Sequence, residues 1–116
     1  LEGHPVLARA HRIVEGDELR RISRRGTHFR CSLFIASRDV TTSSDPARFG
    51  FVTSKKVGGA VIRNRVKRRL RALAAQTLRS YPQGYDIVVR AHSDASRATY
   101  EELSVAWSQM ESQLVG

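Results

Sequence analysis

The chain has 116 residues, 41% of them hydrophobic, enough for one modest core and too few for two. Twenty Lys and Arg against eleven Asp and Glu leave a net charge of +9, so an anionic partner is the leading expectation. The single cysteine, Cys31, excludes an internal disulfide framework and cannot hold zinc alone, no run approaches the ~20 apolar residues of a membrane span, and no export signal is visible, which points to the cytoplasm.

In chain order, residues 1–7 read as a tail, disordered or foreign, with Leu1 to Pro5 set aside from the fold; residues 8–116 read as the single domain. Val14 to Arg25 reads as a short helix, with Leu19 and Ile22 on one side, Asp17 and Glu18 in the first turn and Gly26 as the stop. His28 to Ser37 alternates as one half-buried strand containing the Cys31 thiol, with Phe29, Cys31, Leu33 and Ile35 on one face and Arg30, Ser32, Phe34 and Ala36 on the other. Asp39 to Pro46 is a polar loop, short enough to make Phe49 to Ser54 an antiparallel partner of that strand. Gly58 and Gly59 precede a long helix, Ala60 to about Ser80, with one apolar stripe at Ile62, Val66, Leu70, Leu73 and Thr77. Pro82 and Gly84 end it, and Asp86 to Ala91 is a buried strand. The last helix starts at Ser96 or, alternatively, after a Thr99 cap, and buries Leu103, Ala106, Trp107, Met110 and Leu114. The order is αββαβα, with the first strand open to splitting, an α+β sandwich of helices on a small sheet.

The positive charge is concentrated. Between Asp45 and Asp86 there is no acidic residue and there are ten basic ones, so the remainder of the chain, with ten basic and eleven acidic residues, has a net charge of −1. Such segregation marks a binding surface. With the core stripe to the front, Asn64, Lys67, Arg68 and Arg71 lie on the back of the long helix and Arg63 and Arg65 on its flanks, a platform for phosphates. Lys55 and Lys56 add charge beside the helix N-terminus, where free backbone N–H groups already favour an anion. Arginine outnumbers lysine seventeen to three, and its planar fork suits phosphate contact and stacking on bases.

Arg63-Asn64-Arg65, followed by Lys67-Arg68 and Arg71 and preceded by Ser54-Lys55-Lys56-Val57-Gly58-Gly59-Ala60-Val61, resembles the signature of bacterial ribonuclease P protein subunits. The likeness extends over roughly Ala8 to Leu114. It implies a ribosomal-protein-type α+β sandwich with a left-handed crossover through the long helix, against the usual hand. It also implies a role: the signature helix (Lys55, Lys56, Arg63, Asn64, Arg65, Lys67, Arg68, Arg71) contacts a catalytic RNA. A separate cleft between the first helix and the open sheet face takes the 5′ leader of precursor tRNA, with Leu19, Ile22, Arg30, Phe34, Arg90 and His92 as its residues. By the same resemblance the RNA cleaves with bound Mg2+. The sequence itself shows no site for a cofactor or metal held by the protein, and the free protein reads as a monomer, with self-association through Trp107 and Met110 as the alternative if they are not buried. The residues themselves support a cleft: Phe34, on the same face as Arg30 and Ser32, is a candidate platform for unpaired bases, with ordinary core as the alternative. The chain departs from the family in placing Leu19, Ile22 and Ser23 where aromatics are common, and His92 where Arg or Lys is usual; a histidine makes that contact sensitive to pH near neutrality.

Two rivals are weaker. A protein-only nuclease needs a base or a carboxylate cluster, yet the histidines (His4, His11, His28, His92) are scattered, and Asp17-Glu18 and Glu101-Glu102 read as solvated helix pairs. A general basic RNA- or DNA-binding or ribosomal-type protein shares the charge, but strands rather than a supporting helix flank the basic helix.

Overall fold

The segment that reads as one strand from His28 to Ser37 folds as two. In the computed structural model, which describes residues 7–40 and 44–116 apart from the Val40 side chain, β1 (Thr27–Arg30) and β2 (Phe34–Val40) form an antiparallel hairpin. The Cys31 N–H donates to the Phe34 carbonyl at 3.1 Å across a reversal at Ser32 and Leu33, so Cys31 sits in a turn and not in a strand. No Gly, Pro, Asn or Asp marks that turn, which is why the sequence pattern runs straight through it. The reversal changes parity. Phe29 and Phe34 would lie on opposite faces of a continuous strand; across the hairpin they share a face, with ring centroids 6.0 Å apart. Phe34 is 0% exposed, so the stacking platform expected there is corrected to core.

The second correction concerns pairing. β3 (Arg48–Val52) does not pair with β2, because β4 (Tyr85–Ala91) lies between them in the order β1-β2-β4-β3. β2 and β4 run antiparallel, while β3 and β4 run parallel and are joined through α2 (Ala60–Ser80). A parallel pair needs a long crossover, which the 21-residue helix supplies. The run from Tyr85 to Val89 is buried at every position, as a central strand covered on both faces must be. Thr41, Thr42 and Ser43 of the expected loop lie outside the described residues.

One face of the sheet carries the main core. Val66, Leu70, Leu73, Ala74 and Thr77 of α2 and Leu103, Ala106, Trp107, Met110 and Leu114 of α3 (Tyr100–Leu114) pack onto Phe29, Phe34, Phe49, Ile87 and Val89. The Trp107 Nε1–H donates to the Thr77 hydroxyl at 2.9 Å, which in turn donates to Glu111, so the polar atoms of these two buried side chains are partnered. Leu7, expected in the tail, is also buried there; residues 1–6 are outside the described residues. Ser93–Ser96 is a separate 3-10 turn, and α3 begins after Thr99 with a complete capping box to Glu102. Removing the cap with Thr99→Ala is expected to cost about 1 kcal/mol in thermal unfolding, without changing RNA affinity.

The other face is covered by one short helix, α1 (Gly16–Arg25), held over the sheet by a small plug of Ile13, Ile22 and Val88. Glycine permits the close approach: a Cβ at Gly50 would sit 2.4 Å from a Leu19 methyl. Charge does the rest along one edge of α1. Arg48 donates two hydrogen bonds to buried Asp86 (3.1 and 2.8 Å) and two to Glu18 (3.3 and 2.7 Å), while Arg21 donates to Asp39 at 2.7 Å. The hydrogen bonds from Arg48 hold the Glu18 carboxyl below its ordinary range, and the two carboxylates push the Arg48 guanidinium further up. A carboxylate with a lowered folded pKa contributes stability above the ordinary glutamate range, and that contribution is lost as pH falls through it. Arg48→Met leaves Asp86 buried without a cation and is expected to cost about 3 kcal/mol in urea unfolding at neutral pH. A loss of about 1 kcal/mol or less would place the pair among ordinary surface bridges.

Candidate nucleic-acid interface

Of the ten basic residues between Asp45 and Asp86, only Arg48 is ion-paired among the described residues. The other nine have no carboxylate partner among the described residues to relieve their mutual repulsion, and all are carried by α2 or the turn before it. Lys55 and Lys56 are exposed on that turn, which Gly58 closes at φ +150, a conformation open to glycine. Gly59 caps α2 with no side-chain hydrogen bond, leaving the first N–H groups of the helix beside the two lysines.

The expected single platform is divided in three. Each residue turns about 100° around the axis, so with Leu70 facing the core, Arg68 points nearly straight away and is exposed. Asn64, Lys67 and Arg71 fall on the flank towards β3, where Lys67 and Arg71 line a cavity of about 310 Å3 with Arg12, Leu19, Gly50 and Phe51. Arg65 and Arg69 fall on the flank towards α3, and both are half-buried. Arg65 donates to the Ser96 carbonyl at 2.9 Å and Arg69 to the Ala98 carbonyl at 3.1 Å. Arg65 is thereby committed in part to holding the lead-in of α3, a role its place in the signature does not reveal. Arg63 is half-buried in the first turn of α2 and Asn64 is exposed.

On the α1 side of the sheet, strand register sets residues in rows. Arg30 pairs with Ile35, Ile35 with Arg90, and Arg90 with Val52, so one row crosses all four strands. Arg30 and Arg90 are exposed in it, and Ile35 and Val52 are half-buried. The next row holds His28, Ser37, Val88 and Gly50, with His28 Nδ1 and the Ser37 hydroxyl hydrogen-bonded at 2.7 Å. The third holds the Asp39, Asp86 and Arg48 network beneath α1.

The exposed part of this sheet face is therefore the row of Arg30, Ile35, Arg90 and Val52, beside Leu19. Of the residues expected to line a leader cleft, Arg30 and Arg90 lie in this row and half-buried Leu19 lies beside it. His92 is exposed one residue past β4, with its N–H donating to Leu33 O at 2.9 Å. Ile22, at 0% exposure, is corrected to the plug under α1, and Phe34 lies on the opposite face of the sheet. Ile35, Val52 and Arg12 were not legible: the first two join this row through a hairpin and a parallel pairing, and Arg12 joins the Lys67 and Arg71 cavity beside β3, where it bridges to Phe49.

Residues 7–114 match the Ribonuclease P family. The chain is 43% identical over 98 residues to the "Ribonuclease P protein component" of Beutenbergia cavernae, covering 84% of this chain and 82% of the relative. The chain belongs to the ribonuclease P protein family. The component from Clavibacter michiganensis is 41% identical over 98 residues, covering 84% and 87%. Among solved structures, the RNase P protein of Staphylococcus aureus superposes with a TM-score of 0.80 at 27% identity, over 90% of this chain and 95% of that one. The RNase P protein of Thermotoga maritima shares the fold, with a TM-score of 0.77 at 23% identity over 91% and 99%. The mixed four-stranded sheet with its three helices is thus the fold of the ribonuclease P protein family. The donor chemistry for a protein-held metal is not assembled here: among the described residues no three His, Cys, Asp or Glu side chains converge. Among the same residues, no helix is long and apolar enough to cross a membrane.

Proposed function

We propose that this protein is the protein component of a bacterial ribonuclease P. In this reading it binds a catalytic RNA through α2 and the 5′ leader of precursor tRNA through the sheet cleft, and so promotes endonucleolytic removal of the leader. Cleavage belongs to the RNA and its Mg2+; the protein alone is inactive, monomeric when free, and cytoplasmic. The observation that carries the reading is the run of cations on α2 with no carboxylate beside it among the described residues. That arrangement is unfavourable in the free protein and is relieved by polyphosphate.

The test is precursor-tRNA cleavage at low Mg2+ by a bacterial catalytic RNA, with and without the purified protein. Strong stimulation of correct 5′ cleavage, with none from the protein alone, is the expected result. Absence of stimulation with several such RNAs would leave a general basic RNA binder.

A further inference from the structure

The open sheet face has an unusual make-up for a surface that takes single-stranded RNA. Such surfaces commonly combine cations with aromatic rings on which bases stack. Here the three rows on the α1 side contain no Phe, Tyr or Trp: the hairpin has carried Phe29 and Phe34 to the other face, together with Phe49 and Tyr85. The one ring present is the His28 imidazole, which is bonded to Ser37. The wall contributed by α1 is no more aromatic, since it offers Leu19 and Ser23. What remains exposed within the rows is a pair of arginines, with His92 exposed one residue past the end of β4.

Arg30 and Arg90 stand on β1 and β4, separated by β2, with Ile35 between them in register. Two strand spacings set their Cα atoms about 10 Å apart, and both long side chains are exposed. Neither has an ion-pair partner among the described residues, whereas Arg20, Arg21, Arg48 and Arg97 all do. Between and beside them Ile35, Val52 and Leu19 offer apolar surface that any base can rest on and that distinguishes none. Polar groups able to read a base edge are scarce, because His28 and Ser37 are occupied by one another.

We propose that this cleft grips the 5′ leader by its phosphates, through Arg30 and Arg90, and is indifferent to the identity of the leader bases. This inference rests on the reading of the protein as a ribonuclease P component, and it specifies how that component's cleft recognises its substrate. Arg30 and Arg90 set affinity through charge, so leader recognition is steeply salt-dependent and tolerant of sequence.

The experiment uses precursor tRNA with three leaders: an ordinary one, one with neutral methylphosphonate linkages, and one with abasic sugars on an unaltered backbone. Affinity for the complex of protein and catalytic RNA is measured over a range of salt. The neutral leader is expected to lose tenfold or more of the protein-dependent gain, and the abasic leader to stay within about threefold of the ordinary one. Arg30→Ala and Arg90→Ala should each lower the magnitude of the salt slope by about 0.7, with unchanged thermal unfolding because both side chains are exposed. An abasic leader that loses as much as the neutral one overturns the proposal, since the arginines would then be stacking on bases.

The same three strands as free oligonucleotides, with the protein alone, separate the two readings. Loss of binding on the neutral backbone, matched on the ordinary strand by Arg30→Ala and Arg90→Ala, supports the phosphate grip even if no catalytic RNA is stimulated. Equal binding of neutral and ordinary strands overturns it even if stimulation is strong.

Discussion

Phe34→Ala is expected to destabilise the domain by about 3–5 kcal/mol, a large part of the roughly 5–15 kcal/mol that holds a domain of this kind together. The ring is fully buried and lies 6.0 Å from Phe29 and 6.2 Å from Trp107, so truncation opens a cavity where β1, β2 and α3 meet. The measurement is the urea unfolding midpoint at constant slope. Phe34→Leu, which keeps most of the volume, should cost less than about 1.5 kcal/mol. That folded variant then isolates function: with Phe34 on the α3 side of the sheet, its affinity for leader-bearing precursor should equal that of the parent. A ring on the open face would give the reverse pattern, with little loss of stability in either variant and weaker leader binding in both.

The same residue shows where sequence is legible and where it is not. Period-2 alternation from His28 to Ser37 is real on each side of the turn, but parity is conserved only if the chain keeps going. A reversal through Ser32 and Leu33, without glycine or proline, inverts the face of everything after it. By contrast α2 was readable in its bounds and stripe, because an apolar repeat over 21 residues bracketed by glycines and a proline has few alternative folds. Strand partners were not readable. A short loop favours a hairpin, yet the buried run Ile87-Val88-Val89 takes the central position and separates β2 from β3. The cations from Arg63 to Arg71 do stay together on α2, since their placement depends on one helix alone, although its faces divide them. The cleft did not survive intact, because it depends on which strands are neighbours.

The division of the α2 cations leads to the second large effect. Lys67, Arg68 and Arg71 are bonded to no carboxylate among the described residues, and replacing all three with Ala should leave the core stripe of Val66, Leu70 and Leu73 untouched. Every phosphate that a cation no longer neutralises removes about 0.9 from the slope of log affinity against log salt for a duplex-like target. The triple variant should therefore bind catalytic RNA with a slope reduced in magnitude by about 2–3. It should unfold at the parental midpoint or slightly above it, because like-charge repulsion is relieved. Arg65→Ala and Arg69→Ala should behave differently. Their guanidinium groups donate to the Ser96 and Ala98 carbonyls, so each substitution should cost about 1–2 kcal/mol of stability along with any loss of RNA affinity. Titrating both sets over salt, with urea unfolding alongside, distinguishes cations that meet phosphate from cations that tie α2 to α3. Equal stability losses in the two sets would mean that the flank towards β3 is as structural as the flank towards α3, and that the RNA-facing charge of this helix is confined to Arg68 and its first turn.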